Sequence, residues 1–369
     1  YAYNHYLEYW RKNKDNDGFV FNVGACLRDF TKFRVGKLFL YDTDVTAVRN
    51  AIHSLREVVW KYNCHKSGLP KYKSKKSLRQ SYKTSNVSVK DGCVKIPKVG
   101  KIKACITRDV EGKIVEAIIV REGTGKYYIS LICNNVQKEQ FEKTGAVVGI
   151  DVGVHNLATF SDGNTIENKR FYGMSKKRIK KLRRRLSRKP SESNNRRKAQ
   201  KRLCEAIERF RCQRLDYTHK ATTQIVKDYD IICVEDLNIL GMMQNREMFE
   251  HIADAAFGTF LRQLEYKCEY YGKTLIRVPR YFASTKICNI CGYKNNKIRL
   301  SDRKWTCPVC GVRHDRDLNA ANNILESGIQ IYMEAMGTSP VVCGDSISPV
   351  GTAAVDESES ESNTKVQHE

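Results

Sequence analysis

A chain of 369 residues carrying a net charge of +24 is long enough for two or three domains and is strongly drawn to polyanions, nucleic acid first among them. A membrane surface is the rival partner. However, no apolar stretch approaches the roughly 20 residues that span a bilayer, and no signal peptide opens the chain.

The first residues, Tyr1 to Leu7, already read as helix interior with no capping residue before them, so an N-terminal truncation is expected. Residues 1–66 are predicted helical, because Leu7 and Trp10, then Val45, Val48, Ile52, Leu55 and Val59, recur at three- and four-residue intervals. A Gly/Pro/Lys-rich connector, Gly68 to Lys76, follows. From 86 to 134 the apolar period becomes two. Val87 and Val89 precede an Asp91-Gly92 turn, Val94 and Ile96 resume after it, and two further strands flank Gly123-Thr124-Gly125. Short strands with such turns predict a small β-barrel.

A new domain is expected near 144. Ala146 to Ile150 is a buried-strand pattern leading into Asp151, and Leu157 to Phe160 is a second strand before the Ser161-Asp162-Gly163-Asn164 turn. The most basic stretch comes next, with Lys176, Lys177, Arg178, Lys180, Lys181, Arg183, Arg184 and Arg185, helical in composition up to a break at Pro190–Ser193. Asp230 to Val234 is a third strand, ending at Glu235. Phe257, Phe260, Leu261, Leu264, Cys268 and Tyr271 make a helix face that stops at Gly272, and Thr274 to Val278 is a fourth strand. From about 331 the pattern fails, and the Glu/Ser run Asp356–Ser362 predicts a disordered acidic tail over 331–369.

Chemistry concentrates in three places. Asp151 and Glu235 each end an apolar run, and Asp317 falls in the first turn of a helix running through Ala320, Ala321 and Ile324, where the helix dipole favours a negative charge. Phosphodiester hydrolysis by two magnesium ions held about 3.5–4 Å apart needs a few converging carboxylates of this kind. Any one acid after a strand is more often a loop residue or helix cap, and the residues alone leave open whether Asp315 or Asp317 is the ligand. Gly149 and Gly153 flank Asp151 and permit close approach of metal or backbone.

The second place is Cys288-x2-Cys291, fifteen residues, then Cys307-x2-Cys310, which matches a structural four-thiolate zinc site, with Gly292 and Gly311 following each pair. The alternative is two disulfides or a redox pair. Other cysteines, such as Cys133 and Cys233, sit in apolar strand-like runs, so the chain's fourteen suit a reducing, cytoplasmic compartment. Four thiolates close the zinc shell, leaving His314 as a surplus candidate. The third place is the basic stretch. By itself it reads as a solvated charge run, but between two candidate catalytic strands it reads as a phosphate-tracking helix.

Gly149-Ile150-Asp151-Val152-Gly153, Val234-Glu235-Asp236-Leu237-Asn238, the cysteine pairs and Asp315-Arg316-Asp317-Leu318-Asn319-Ala320-Ala321-Asn322-Asn323-Ile324 together resemble the TnpB (OrfB) family. These are transposon-encoded, RNA-guided DNA nucleases, long labelled transposases and related to compact type V CRISPR effectors. The segment Pro70–Ser77 with Arg79–Tyr82 is similar to that family's linker into its wedge barrel, and the match runs from the first helix to about 328.

The resemblance implies an α/β multidomain chain. Its parts are a helical recognition lobe (1–69), a wedge β-barrel (70–143), a RuvC nuclease domain of RNase H-like fold (144–285), a zinc-ribbon insert that binds target nucleic acid (286–313) and a C-terminal RuvC helix (314–330). It implies catalysis by Asp151, Glu235 and Asp317 with Mg2+, and the Asp-x-Asn-Ala-Ala match selects Asp317 over Asp315. It further implies a structural Zn2+, a guide RNA from the transposon end, and double-stranded target DNA read beside a short adjacent motif. A monomer is expected.

The family normally opens with a strand that completes the barrel, and this sequence lacks it, leaving an unpaired edge. The alternatives are a guide-directed DNA-binding repressor, which would have lost a catalytic acid, and an accessory protein of transposition. A tyrosine recombinase is disfavoured, since the histidines are scattered and no His-hydrophobic-His motif occurs.

Overall fold

The structure is a computed structural model that describes residues 1–299 and 302–337. Its first unit is helical, with α1 (Ala2–Asn13), α2 (Val23–Phe33), a 3-10 turn at Leu38–Leu40 and α3 (Val45–Asn63). Asn22 and Asp44 start the second and third helices, each side chain accepting a backbone N–H, from Ala25 and Thr46, at 3.0 Å. The periodic residues face inward. Leu7, Trp10, Ile52, Leu55 and Val59 meet Phe30 and Tyr6 in one core.

Six strands follow: β1 (Gln80–Thr84), β2 (Ser88–Lys90), β3 (Cys93–Ile96), β4 (Gly100–Lys103), β5 (Lys113–Arg121) and β6 (Tyr127–Asn134). Asp91 and Gly92 both take positive φ, 51° and 66°, as a tight hairpin turn demands. The expected barrel is corrected here: the strands form two antiparallel sheets, β1-β5-β6 and β2-β3-β4, with no hydrogen-bonded ladder between them. Strands as short as β2–β4 keep their hydrogen bonds within one meander. The two sheets instead share a small core in which Val87, Val94 and Ile96 meet Ala117.

The rest of the described chain is β7 (Val147–Asp151), β8 (Asn156–Phe160), β9 (Thr165–Glu167), α4 (Phe171–Ser187), α5 (Asn194–Asp228), β10 (Ile231–Glu235), α6 (Ile239–Met242), α7 (Phe249–Ala255), α8 (Phe257–Tyr271), β11 (Thr274–Val278), β12 (Lys304–Thr306), β13 (Arg313–Asp315) and α9 (Arg316–Ala335). One five-stranded sheet has the order β11-β10-β7-β8-β9. β7, β8 and β9 run as an antiparallel meander, while β10 and β11 lie parallel to β7.

The sheet is covered on both faces, and strand alternation sorts the residues between them. Val148, Ile150, Ile232 and Val234 pack with Val226 of α5 and Phe257, Phe260 and Leu264 of α8. Cys233, Ile276 and Val278 face Ile324 of α9. α8 ends where its sequence requires, with Gly272 at φ 71° in the left-handed region. α9 continues past residue 330, because Ile331 and Tyr332 still pack against the Cys233–Ile276 core. The expectation of a tail beginning at 331 is therefore corrected to this extent, and the Asp356–Ser362 run lies outside the described residues.

Candidate functional site

Asp151 and Glu235 end neighbouring parallel strands. Ile150 pairs with Val234, so the next residue on each strand lies one inter-strand spacing away, about 5 Å. Val148 and Ile150, like Ile232 and Val234, turn toward α5 and α8. Alternation then turns Gly149, Asp151, Cys233 and Glu235 toward α9. That helix lies directly on the strands. A Cβ on Gly149 would stand 2.2 Å from the Ala321 carbonyl oxygen, and one on Gly328 would stand 2.3 Å from Cys233 Sγ. From the Gly149–Ala321 contact, two strand residues reach Asp151 and four helical residues reach Asp317, both about 6–7 Å. The helix runs antiparallel to β7, so its first turn arrives level with the strand ends.

The electrostatics bear out this meeting. The Asp151 carboxyl is pushed up to about 7 by burial first, then by the negative charges of Asp317 and Glu235, against the opposing pull of Arg316 and Arg303. Burial also raises Glu235, opposed by a hydrogen bond from Ser284 Oγ at 3.4 Å. Asp317 is held by two guanidinium groups: Arg303 Nη1 donates to Oδ2 at 2.8 Å, and Arg316 donates to Oδ1 from Nε at 3.1 Å and Nη2 at 2.9 Å. Asp315 caps α9, accepting from the backbone N–H groups of Asp317 and Leu318. Three carboxylates, two of them disfavoured as anions, form an oxygen donor set that a divalent cation would relieve, and magnesium takes such donors. The carboxylates are nonetheless more loosely gathered than the cysteines. Among the described residues only the cysteine quartet draws metal-ligating atoms into one tight cluster.

In that quartet all four sulfurs lie within 4.8 Å of one another, with Cys288 to Cys310 and Cys291 to Cys307 both at 3.6 Å. A tetrahedral shell with Zn–S bonds near 2.3 Å has edges of about 3.8 Å, whereas a disulfide needs about 2.05 Å. The cluster can therefore hold zinc, and the disulfide reading does not fit it. Each cysteine pair closes the same turn. The Gly292 and Gly311 N–H groups donate to the carbonyls of Cys288 and Cys307, with φ at 71° and 73°. His314 lies beside this shell, its Nε2 3.1 Å from Cys288 Sγ and its ring against Trp305. An Nε2–H tautomer would let it donate to the Cys288 thiolate from outside a zinc shell.

The eight basic residues expected to bind nucleic acid are all exposed on α4. Lys177, Lys180, Lys181, Arg184 and Arg185 line one groove of about 620 Å3, and Arg188, missed in the sequence reading, completes it at the same helical spacing. Arg178 and Arg183 lie outside this lining, and Lys176 is ion-paired with Glu250. The start of α4 is anchored by the buried Asp254, which accepts from the N–H groups of Tyr172 and Gly173.

Ser284, Asn319 and Asn323 were also missed. The two asparagine side chains each donate to the Ile287 carbonyl at 2.7 Å, and Asn323 also to that of Ser284 at 2.7 Å, tying the entry of the ribbon to α9. Their signal in the sequence was two amides at i and i+4 on an otherwise apolar helix face. Ser284 had none.

Comparison with known proteins agrees with this architecture. A family model described as "Probable transposase" (OrfB_IS605) matches residues 130–246, and one described as "Cas12f1-like, TNB domain" matches residues 257–324. A "Putative RNA-guided DNA endonuclease" of Streptomyces pristinaespiralis is 33% identical over 84% of this chain and 76% of its own. A protein of Escherichia coli (strain K12) with the same name, InsQ, is 31% identical over 63% of this chain and 61% of its own. The cryo-EM structure of a Cas12f1-sgRNA-target DNA complex contains a chain of similar fold, with a TM-score of 0.50 and 17% identity, covering 88% of this chain and 79% of that one. The extent of the match to the Streptomyces relative, joined to the motifs and the two family models, makes this chain a member of the TnpB (OrfB) family.

Proposed function

We propose that the chain is an RNA-guided, Mg2+-dependent DNA endonuclease. The observation that carries this reading is the convergence of Asp151, Glu235 and Asp317 at one end of the β11-β10-β7-β8-β9 sheet, an arrangement in keeping with the RNase H-like, RuvC-type nuclease that the family resemblance implies. In this reading the three carboxylates hold magnesium, which supplies Lewis acidity toward the scissile phosphate. The chain's own residues build the site. Gly149 and Gly328 let α9 settle on the strands, Asp315 caps the helix that presents Asp317, and Ser284 orients Glu235.

The cysteine quartet, holding zinc, keeps the ribbon folded against α9 and leaves no open coordination position for chemistry. The groove on α4 tracks a phosphate backbone, giving affinity without sequence readout. A guide RNA from the transposon end supplies specificity by base pairing with double-stranded DNA, next to a short motif read by the protein. All three acids are present, which favours a nuclease over a guide-directed repressor.

The test is to purify the chain together with transposon-end transcripts, sequence the bound RNA, and offer a matching plasmid with and without Mg2+. Cleavage that needs both guide and metal, and that disappears in Asp151→Ala, Glu235→Ala or Asp317→Ala while binding persists, is the expected result. Guide-dependent binding without cleavage supports the repressor, and the absence of any bound RNA overturns the guided reading.

A further inference from the structure

Both oxygens of Asp317 are engaged by guanidinium groups, which present no lone pairs to a cation and add positive charge beside it. The two arginines are not equivalent. Arg316 is the neighbour of Asp317 on α9, and its side chain is 12% exposed. Arg303 reaches in from the zinc ribbon, and its side chain is 47% exposed. The Arg303 backbone is fixed independently of that contact. Its carbonyl accepts the Arg316 N–H at 2.8 Å, and the next residue, Lys304, pairs with Asp315 across β12 and β13. The side chain can therefore leave Asp317 without disturbing the strand that carries it.

We propose that Arg303 is a removable occluding group that keeps Asp317 closed to divalent cations until a phosphate group draws the guanidinium away. This rests on the reading of Asp151, Glu235 and Asp317 as the cation site. The exchange fits the chemistry of the partners: a planar guanidinium binds phosphate in the same forked manner as carboxylate. A nucleic-acid backbone arriving at the ribbon would thus free the acid as it delivers the substrate. The unloaded protein would stay poorly charged with metal.

The test measures Mn2+ binding to the full, zinc-loaded chain by electron paramagnetic resonance, with no nucleic acid present. Arg303→Gln is expected to tighten Mn2+ binding about fivefold, the scale of a half-exposed ion pair. Lys304→Gln removes the same charge one residue away, without touching Asp317, and is expected to change binding less than about twofold. Retained zinc content reports an intact ribbon. If Arg303→Gln loses zinc, Arg303→Met replaces it, because it keeps the apolar stem while removing both the charge and the single donor to Asp317, and it should still tighten binding. Unchanged or weaker Mn2+ binding, or an equal gain in Lys304→Gln, overturns the proposal. Asp317→Asn separates the two levels: if it leaves Mn2+ binding intact, the cation-site reading itself fails.

Discussion

Replacing Asp151 by Asn should stabilise the protein in the absence of magnesium, and the size of the gain should depend on pH. The folded carboxyl sits at about 7 against an ordinary 3.8, so as an anion it is destabilised by about 4 kcal/mol. Its causes are burial and two neighbouring carboxylates. Because the residue keeps some solvent access, counting half of this leaves about 2 kcal/mol. Below 3.8 the acid is protonated in both states and contributes no penalty. As pH rises toward 7 the folded state retains a proton that the unfolded state has released, so unfolding free energy falls. Above 7 the full penalty is present. Asparagine carries no such charge, so its advantage should be small near pH 4 and largest at pH 8.

For a domain of this size each kcal/mol corresponds to about 2–4 °C, which predicts a rise in Tm of roughly 4–8 °C at pH 8. Thermal unfolding should be followed in magnesium-free buffer without chelator, since a chelator would also strip the ribbon of zinc. Magnesium added at pH 8 should narrow the gap by stabilising the unsubstituted chain. A variant no more stable than the parent at pH 8, or a gain that is the same at both pH values, would refute the crowding of these three acids.

Three further outcomes are expected. Cys307→Ser should lose its zinc, and metal analysis showing the parent's zinc content would refute the four-thiolate site. Gly149→Ala should destabilise by about 3 kcal/mol or more, because the added methyl meets the α9 backbone at 2.2 Å. Gly153→Ala, whose nearest contact is 3.2 Å, is the comparison; equal urea midpoints for the two would show that α9 does not rest on β7. Replacing Lys181, Arg184 and Arg185 with Gln should reduce the slope of log affinity against log salt by about two to three, while Arg183→Gln, outside the groove lining, should change it by less than about 0.3. Per-residue effects that do not differ would return the run to an ordinary solvated face.

Where the physics is local, the sequence was sufficient. Short continuous apolar runs located β7 and β10, Asp91-Gly92 located a hairpin turn, Gly272 ended α8, and the cysteine spacing announced the ribbon, each because the responsible atoms lie within a few residues. The motifs pointed to Asp151, Glu235 and Asp317, and the order of those motifs pointed to the family.

What the sequence did not contain was decided by contacts between distant segments. The strands of 80–134 separate into two sheets because pairing partners are chosen by packing, not by period. Ser284, from a segment with no pattern of its own, meets Glu235 only because Asn319 and Asn323 draw that segment onto α9. Arg303, one of sixty-five basic residues, acquires its place at Asp317 through the pairing of β12 with β13. Gly149 and Gly328 bring α9 down on the strands, and that contact carries Asp317 to the strand ends where Asp151 and Glu235 lie. Periodicity fixes which way a side chain faces along its own element, whereas its neighbour across space depends on how the elements stack.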